Sequence, residues 1–223
     1  GFTKADYEKM QADARRTQVD SPDWFGWQRL GGTLNMNGGH AFGHLWAKYG
    51  KDHPDWFALQ HDGSRDQSKS PDRARLCVSN AELIAAVAKE KIEELNKNPN
   101  LLGVSIGPND GGRAAFCTCP KCEALDSAKG RKVLLWDFSK GTRRDFEHVS
   151  LTDRMVSFWN AIAEKVAKVH PDRFLVVDAY SVYAAPPVER KLHPNLVVRF
   201  APLAYSDEDY RQESMREWDA WSK

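Results

Sequence analysis

The chain has 223 residues and is nearly neutral, with 32 Lys and Arg against 31 Asp and Glu and a formal net charge of +1. That balance gives no electrostatic reason to expect binding to nucleic acid or to an anionic membrane surface. The sequence contains no apolar run of about 18 residues, so no membrane span is predicted. The length is sufficient for a full hydrophobic core.

The N-terminal part gives the weakest structural signals. Residues 3–17 are polar and favour a helix, which predicts a surface helix. A loop rich in Gly and Asn follows at 35–44, and a short helix is predicted over 41–49. The loop holds His40 and His44, which either close over a functional site or are ordinary loop and helix-start histidines.

Strands and helices alternate in the rest of the chain. Strands are predicted at 75–78, 102–106, 174–177 and 196–200, and helices at 81–96, 151–169 and 207–221. The strands are apolar along their length, which is typical of a parallel sheet covered on both faces. Four βα units are readable, whereas a closed barrel needs eight. We therefore expect an α/β fold of the (β/α) TIM-barrel type, as a single domain over 1–223 that is a section of a larger barrel and chain.

The segment 107–150 separates the strand at 102–106 from the helix at 151–169. It begins with GPNDGG and contains CTCPKC a few residues later. A connection of this length is too long for a plain linker and is usually functional. We expect it to be a long βα loop that carries the cysteine cluster.

Polar side chains are predicted to follow the strands at one edge of the sheet. Asp110 follows one strand and Asp178 ends the next, and the carboxyl ends of parallel strands meet at one rim. Two carboxylates there would suit the acid/base chemistry of glycoside hydrolysis; the alternative for Asp110 is an Asx turn onto the amides of Gly111 and Gly112. Asp110 and Asp178 are the candidate catalytic residues. The candidate substrate-binding residues are His40, His44, Asn109, Tyr180, Tyr183 and Arg199.

The chain has four cysteines, and the predicted topology allows all of them to meet. Cys77 ends the predicted strand at 75–78, and Cys117, Cys119 and Cys122 lie in the long loop. Four thiolates suit a structural zinc ion, which would leave no open position for catalysis. Two disulfides or four buried free thiols are the alternatives.

Several motifs together resemble the DUF4838 domain family. They are the R-x-C-x-S-N of Arg75–Asn80, the Pro-Asn-Asp-Gly-Gly of 108–112 with C-x-C-x-x-C after it, the His-Pro-Asp of 170–172 before a strand ending in Ala179-Tyr180, and the HPN-x-x-V-x-F of 193–200. The resemblance implies a TIM-barrel domain from bacterial polysaccharide-degrading proteins, commonly exported, and similar to the α-glucuronidase and β-hexosaminidase barrels.

In those hydrolases an acid at the end of the fourth strand is catalytic, and Asp110 is the nearest match. The hexosaminidases use an Asp-Glu pair, whereas this chain has Asp110-Gly111, so the pair is missing.

We therefore expect a glycoside hydrolase-like domain that acts on a polysaccharide, with acidic sugars among the candidate substrates. The chemistry would need no cofactor, and a zinc ion would be structural. The alternative is a non-catalytic carbohydrate-binding or scaffold domain held together by the cysteines. The expected partners are a carbohydrate ligand and further domains of the same chain, and the expected location is secreted, periplasmic or at the cell surface.

Overall fold

A computed structural model describes residues 34–110, 115–137, 144–201 and 208–222, with backbone alone for 134–137 and 144–146. It also describes four helical positions, 5, 8, 9 and 12; the rest of the predicted helix at 3–17 lies outside the described residues. The chain divides into two compact units, residues 1–35 and 36–223. All the elements named below belong to the second unit.

This unit contains five helices and five strands among the described residues. The helices are α1 (Leu45–Tyr49), α2 (Ala81–Lys97), α3 (Pro120–Glu123), α4 (Thr152–Ala167) and α5 (Glu208–Trp221). The strands are β1 (Gly103–Ser105), β2 (Lys132–Asp137), β3 (Arg144–Val149), β4 (Phe174–Ala179) and β5 (Leu196–Phe200). None of the helices in the described residues is long and apolar enough to cross a membrane.

The fold is mixed α/β and is built on a three-stranded parallel sheet with the order β1-β4-β5. Met36 and His40 form parallel bridges with Gly103 and Gly107, so the segment 36–40 continues the sheet beyond β1. The predicted parallel strands at 102–106, 174–177 and 196–200 are confirmed. The described residues form no closed barrel.

Local sequence explains the two long helices. The side-chain oxygen of Asn80 accepts hydrogen bonds from the amides of Glu82 and Leu83, at 3.0 Å each, and so begins α2. Apolar residues at helical spacing then bury one face of each helix, with Leu83 in α2 and Trp159 in α4 fully inaccessible. Burial of each such side chain contributes about 1.5–3 kcal/mol, which holds α2 and α4 against the sheet.

One prediction about the middle of the chain is wrong. Residues 75–78 do not form a strand of the parallel sheet; Leu76 makes a single antiparallel bridge with Phe57. The amide of Cys77 donates to the carbonyl of Trp56 at 2.8 Å, so the backbone here pairs with residues 56–57 instead of with β1. The segment 107–150 connects β1 to α4, and its described residues include α3 and an antiparallel hairpin of β2 and β3.

Candidate functional site

The parallel segments end at an open pocket of about 480 Å³, which we call the rim pocket. The described residues that line it are Gly39, His40, Asp110, Asp178, Tyr180, Tyr183, Arg199, Phe200 and Ala201. Six of these were chosen from the sequence as catalytic or substrate-binding candidates. They meet because each follows or ends a segment of the same parallel sheet.

Asp178 and Arg199 form an ion pair across the rim pocket. Adjacent strands β4 and β5 place the two residues opposite each other. The Nε and Nη2 atoms of Arg199 lie 2.7 and 2.6 Å from the same oxygen, Oδ1 of Asp178. The Arg199 side chain is 49% exposed and that of Asp178 only 14%. The guanidinium lies over Gly38, where a Cβ would come within 2.2 Å of Nη1, so the absence of a side chain there makes room for it.

Asp110 also lines the rim pocket and contacts Tyr180. The Tyr180 hydroxyl donates to Oδ1 of Asp110 across 3.5 Å, at the outer limit for a hydrogen bond. Burial, and then the negative charge of Asp110, raise the pKa of Tyr180. Burial likewise raises the pKa of Tyr183. Both phenols therefore remain protonated at neutral pH.

His40 is held at the pocket by its backbone and by its ring. Its backbone bridges to Gly107, and the amide of Ala41 donates to the Gly107 carbonyl at 2.9 Å. Its ring Nδ1 lies 2.7 Å from the carbonyl oxygen of Pro108. This close approach requires a glycine at 107, because a Cβ there would come within 2.6 Å of the Gly39 carbonyl oxygen.

Two of the predicted substrate-binding residues do not line the rim pocket. Asn109 is buried, and its carboxamide donates to the Ala74 carbonyl at 3.0 Å and accepts from the Phe42 amide at 3.1 Å. His44 lies 2.9 Å from a carboxylate oxygen of Glu90 on α2. Asn109 thus stabilises the turn before Asp110. His44 instead pairs with Glu90 at the surface.

Sequence reasoning missed Arg75 as a member of this region. Its Nη1 donates to the backbone oxygen of Asn109 at 2.7 Å, and its guanidinium stacks over the ring of Phe116 at 4.3 Å. Burial lowers its pKa. Arg75 therefore fixes the turn that presents Asp110. Its place two residues before Cys77 was the only signal in the sequence.

The second candidate site is the cysteine cluster, which consists of Cys77, Cys117, Cys119 and Cys122. All four are buried, and their sulfur atoms lie within 4.8 Å of one another. The Cys77 sulfur is 3.7 Å from that of Cys119 and 3.8 Å from that of Cys122. All four are free, so the disulfide alternative is wrong. The prediction that the four cysteines meet is confirmed.

Polar groups surround the cysteine cluster. The amide of Leu59 donates to the Cys117 sulfur at 3.2 Å, and the Ser79 hydroxyl lies 3.2 Å from the Cys122 sulfur. Hydrogen bonding with the Cys117 thiol lowers the pKa of Cys77. Hydrogen bonding with Cys117 and Cys77 raises the pKa of Cys122, so the shared protons favour the thiolate at Cys77 in particular. The thiolate is the form of cysteine that ligates metals.

The structure also reveals a buried arginine beside the cluster. Arg154, in the first turn of α4, donates through Nε and Nη2 to the two carboxylate oxygens of Asp126, at 2.7 and 2.5 Å. Its Nη1 donates to the carbonyl of Cys117 at 2.7 Å. The cysteine loop is thereby tied to α4. In the sequence Arg154 is one charged residue beside an apolar helical stripe, a weak signal.

Comparison with known proteins gives one finding of similarity. No curated protein matches the chain. The family model described as a domain of unknown function, DUF4838, matches residues 3–223. The match confirms the resemblance drawn from the motifs. The chain therefore belongs to the DUF4838 family.

Proposed function

We propose that the rim pocket is the active site of a glycoside hydrolase-like domain that acts on a polysaccharide. The observation that carries the proposal is that two carboxylates, Asp110 and Asp178, line one open pocket at the carboxyl ends of parallel segments. Parallel α/β folds place their active sites at this edge. Most glycoside hydrolases use two carboxyl groups that flank the glycosidic bond that is cleaved.

The proposed roles follow from the contacts of each carboxylate. Asp110 is the acid/base residue, because it lines the pocket and lies within hydrogen-bond reach of the Tyr180 hydroxyl. Asp178 is held by Arg199 through one oxygen only, and its negative charge would stabilise the positive charge that develops on the sugar ring. Tyr180 and Arg199 supply hydroxyl and guanidinium donors for sugar oxygens.

Arg199 also supports the part of the proposal that concerns acidic sugars. Its Nε and Nη2 are committed to Asp178, and Nη1 remains on a side chain that is half exposed. A guanidinium nitrogen at the pocket suits a sugar carboxylate.

The parallel segments 36–40, β1, β4 and β5 follow one another in chain order across the sheet. Consecutive parallel segments in this order are what a section of a (β/α) barrel would have. We therefore extend the proposal to a section of a larger barrel, in an exported protein with further domains.

The test compares Asp110→Asn with the unaltered protein on a panel of polysaccharides, with release of reducing ends as the measurement. Removal of the acid/base carboxylate is expected to lower turnover by about 10²–10⁴-fold. Asp172→Asn is the matched control, because Asp172 is an exposed aspartate paired with Arg173 next to the start of β4. Equal turnover by the Asp110→Asn variant would overturn the assignment.

A non-catalytic carbohydrate-binding domain is the alternative outcome of the same experiment. Asp178 is already neutralised by Arg199, and a pocket arranged this way can bind sugar hydroxyls without chemistry. Glycan binding by calorimetry, with no release of reducing ends and no effect of Asp110→Asn, would establish this alternative.

We also propose that the cysteine cluster holds a structural zinc ion. Tetrahedral zinc with Zn–S bonds of about 2.3 Å separates its sulfur ligands by about 3.8 Å. The separations of 3.7 and 3.8 Å from the Cys77 sulfur to those of Cys119 and Cys122 match that value, and all four sulfurs lie within 4.8 Å of one another. The donor set fits as well, because four thiolates are a common set for structural zinc and would fill every coordination position. The ion would join the turn at Cys77 to the loop that carries Cys117–Cys122.

A further inference from the structure

The proposed hydrolysis requires a proton donor for the departing sugar. The contacts of Asp178 and Asp110 assign that role to neither carboxylate. Asp178 is ion-paired with Arg199, whose Nε donates to Oδ1, so this carboxylate is engaged by a cation and not by a leaving group. Asp110 accepts a hydrogen bond from Tyr180 at Oδ1 and is assigned to the attacking water, so the departing sugar needs a different donor.

The ring of His40 is fixed in a way that suits proton exchange. The carbonyl of Pro108 can only accept a hydrogen bond, so Nδ1 of His40, 2.7 Å away, must carry a proton. The proton that the ring gains and loses is therefore at Nε2. His40 is exposed at the edge of the rim pocket and can be reprotonated from solvent.

The other described side chains that line the pocket do not provide an alternative donor. Arg199 keeps its protons at every relevant pH. Burial raises the pKa of both Tyr180 and Tyr183, which makes these phenols weaker acids. The titratable and charged groups that face His40 in the pocket are thus Asp110, Asp178 and Arg199, and the two phenols.

We infer that His40 is the general acid of the rim pocket and Asp110 its general base; this inference rests on the proposed function. The Asp110 carboxylate takes a proton from a water molecule, and the water oxygen bonds to the anomeric carbon. The bond from that carbon to the glycosidic oxygen breaks, and the oxygen takes the proton from Nε2 of His40. Solvent then carries the proton from Asp110 back to His40, which restores both groups.

The variant His40→Asn tests this assignment. The asparagine amide nitrogen can still donate to the Pro108 carbonyl, as Nδ1 does, but it has no exchangeable acid at the Nε2 position. His44→Asn is the matched control, since His44 lies in the same loop, pairs with Glu90 and does not line the pocket. Circular dichroism and thermal unfolding verify that both variants fold.

Two substrates separate general acid catalysis from binding. On a polysaccharide the His40→Asn variant should lose about 10²–10³-fold in kcat with little change in KM. On 2,4-dinitrophenyl glycosides, whose leaving group needs no proton, it should keep most of its activity, whereas Asp110→Asn should lose both reactions.

The outcomes distinguish failure of the two claims. If the unaltered protein cleaves a glycan and His40→Asn cleaves it equally well, or loses both substrates to the same extent, the role of His40 is overturned while the proposed function stands. If the unaltered protein cleaves neither the polysaccharides nor the aryl glycosides, the proposed function fails, and the role of His40 fails with it.

Discussion

Two arginine–aspartate pairs in this chain share their chemistry but differ in surroundings and geometry. Arg154 is 5% exposed and meets both carboxylate oxygens of Asp126, which is itself 28% exposed. Its remaining nitrogen donates to the carbonyl of Cys117. Arg199 is half exposed and places two nitrogens on a single oxygen of Asp178.

This difference indicates that the Arg154–Asp126 pair stabilises the fold, whereas the Arg199–Asp178 pair forms part of the rim pocket. The guanidinium of Arg154 has a partner for each terminal nitrogen and for Nε, so it fixes the cysteine loop against α4. The Arg199 pair leaves Oδ2 of Asp178 and Nη1 of Arg199 outside its two close contacts, at the wall of the rim pocket. A buried ion pair in which every guanidinium nitrogen has a partner is costly to break. A half-exposed pair with polar atoms outside its contacts can instead rearrange to bind a ligand.

The largest expected effect lies at the cysteine cluster beside the buried pair. Cys122→Ser removes one proposed zinc ligand and should abolish stoichiometric zinc binding. It should lower the free energy of unfolding by about 5 kcal/mol, because structural zinc in small domains contributes on the order of 10 kcal/mol. Elemental mass spectrometry and denaturant unfolding measure the two effects.

Ser79→Ala is the control for that variant, since its hydroxyl touches the Cys122 sulfur without being one of the four thiols. It should retain zinc. A wild-type protein that carries no zinc, and whose unfolding is unchanged by chelators, would contradict the zinc proposal and leave four buried thiols.

The buried pair itself is expected to give the next largest effect. Arg154→Ala leaves Asp126 without its partner and the Cys117 carbonyl without its donor, and should lower the free energy of unfolding by about 3 kcal/mol. Arg216→Ala removes an exposed pair with Glu213 and should cost about 0.5 kcal/mol or less. Similar losses in the two variants by chemical denaturation would mean that burial does not distinguish the pairs.

A buried carboxyl group on α5 extends the comparison to a charge in a different setting. Burial, and then the nearby charge of Glu213, raise the pKa of Glu217 from 4.5 to about 7. Between these two values the unfolded chain binds fewer protons than the native chain, so the free energy of unfolding should fall as pH rises. The expected decline is about 1 kcal/mol after allowance for solvent screening.

Glu217→Gln should remove this decline, because the amide does not titrate. Thermal unfolding of both proteins at pH 5 and pH 8 provides the measurement. If the two proteins show the same pH dependence over that range, other groups set it.

The smallest effect on stability is expected at the rim pair. Arg199→Ala removes a half-exposed partner and should change the free energy of unfolding by about 0.5 kcal/mol. Binding of an acidic sugar should nevertheless weaken, and calorimetry with glucuronate, with glucose as the neutral control, is the measurement. A loss of several kcal/mol in stability would place Arg199 with Arg154 as a structural residue.

Much of the rim was accessible from the sequence because strand ends in a parallel sheet meet at one edge. Asp110, Asp178 and Arg199 were placed there by that rule alone. Asn109 was misplaced because sequence does not say which way a turn residue faces; its carboxamide turns inward to Ala74 and Phe42. His44 was misplaced because its partner, Glu90, lies 46 residues away in the chain.

Arg75 and Arg154 could not be recognised for a related reason. Each acts through backbone carbonyls, of Asn109 and Cys117, that are distant in sequence and carry no sign of their role. Every residue type has a backbone carbonyl oxygen, so the pattern of side chains in a sequence does not predict such a contact.

The sequence by itself determined the alternation of strands and helices, the parallel sheet and the family. Those features depend on apolar periodicity, on strand polarity and on short motifs, which are local properties of the chain. Only the tertiary structure decided that the cysteines form one cluster without disulfides and that residues 75–78 lie outside the sheet. It also decided that Arg154 is buried with its nitrogens paired and that Arg199 is half exposed at the rim pocket. Those outcomes depend on distances and burial between residues far apart in the chain, and these are fixed when the core packs.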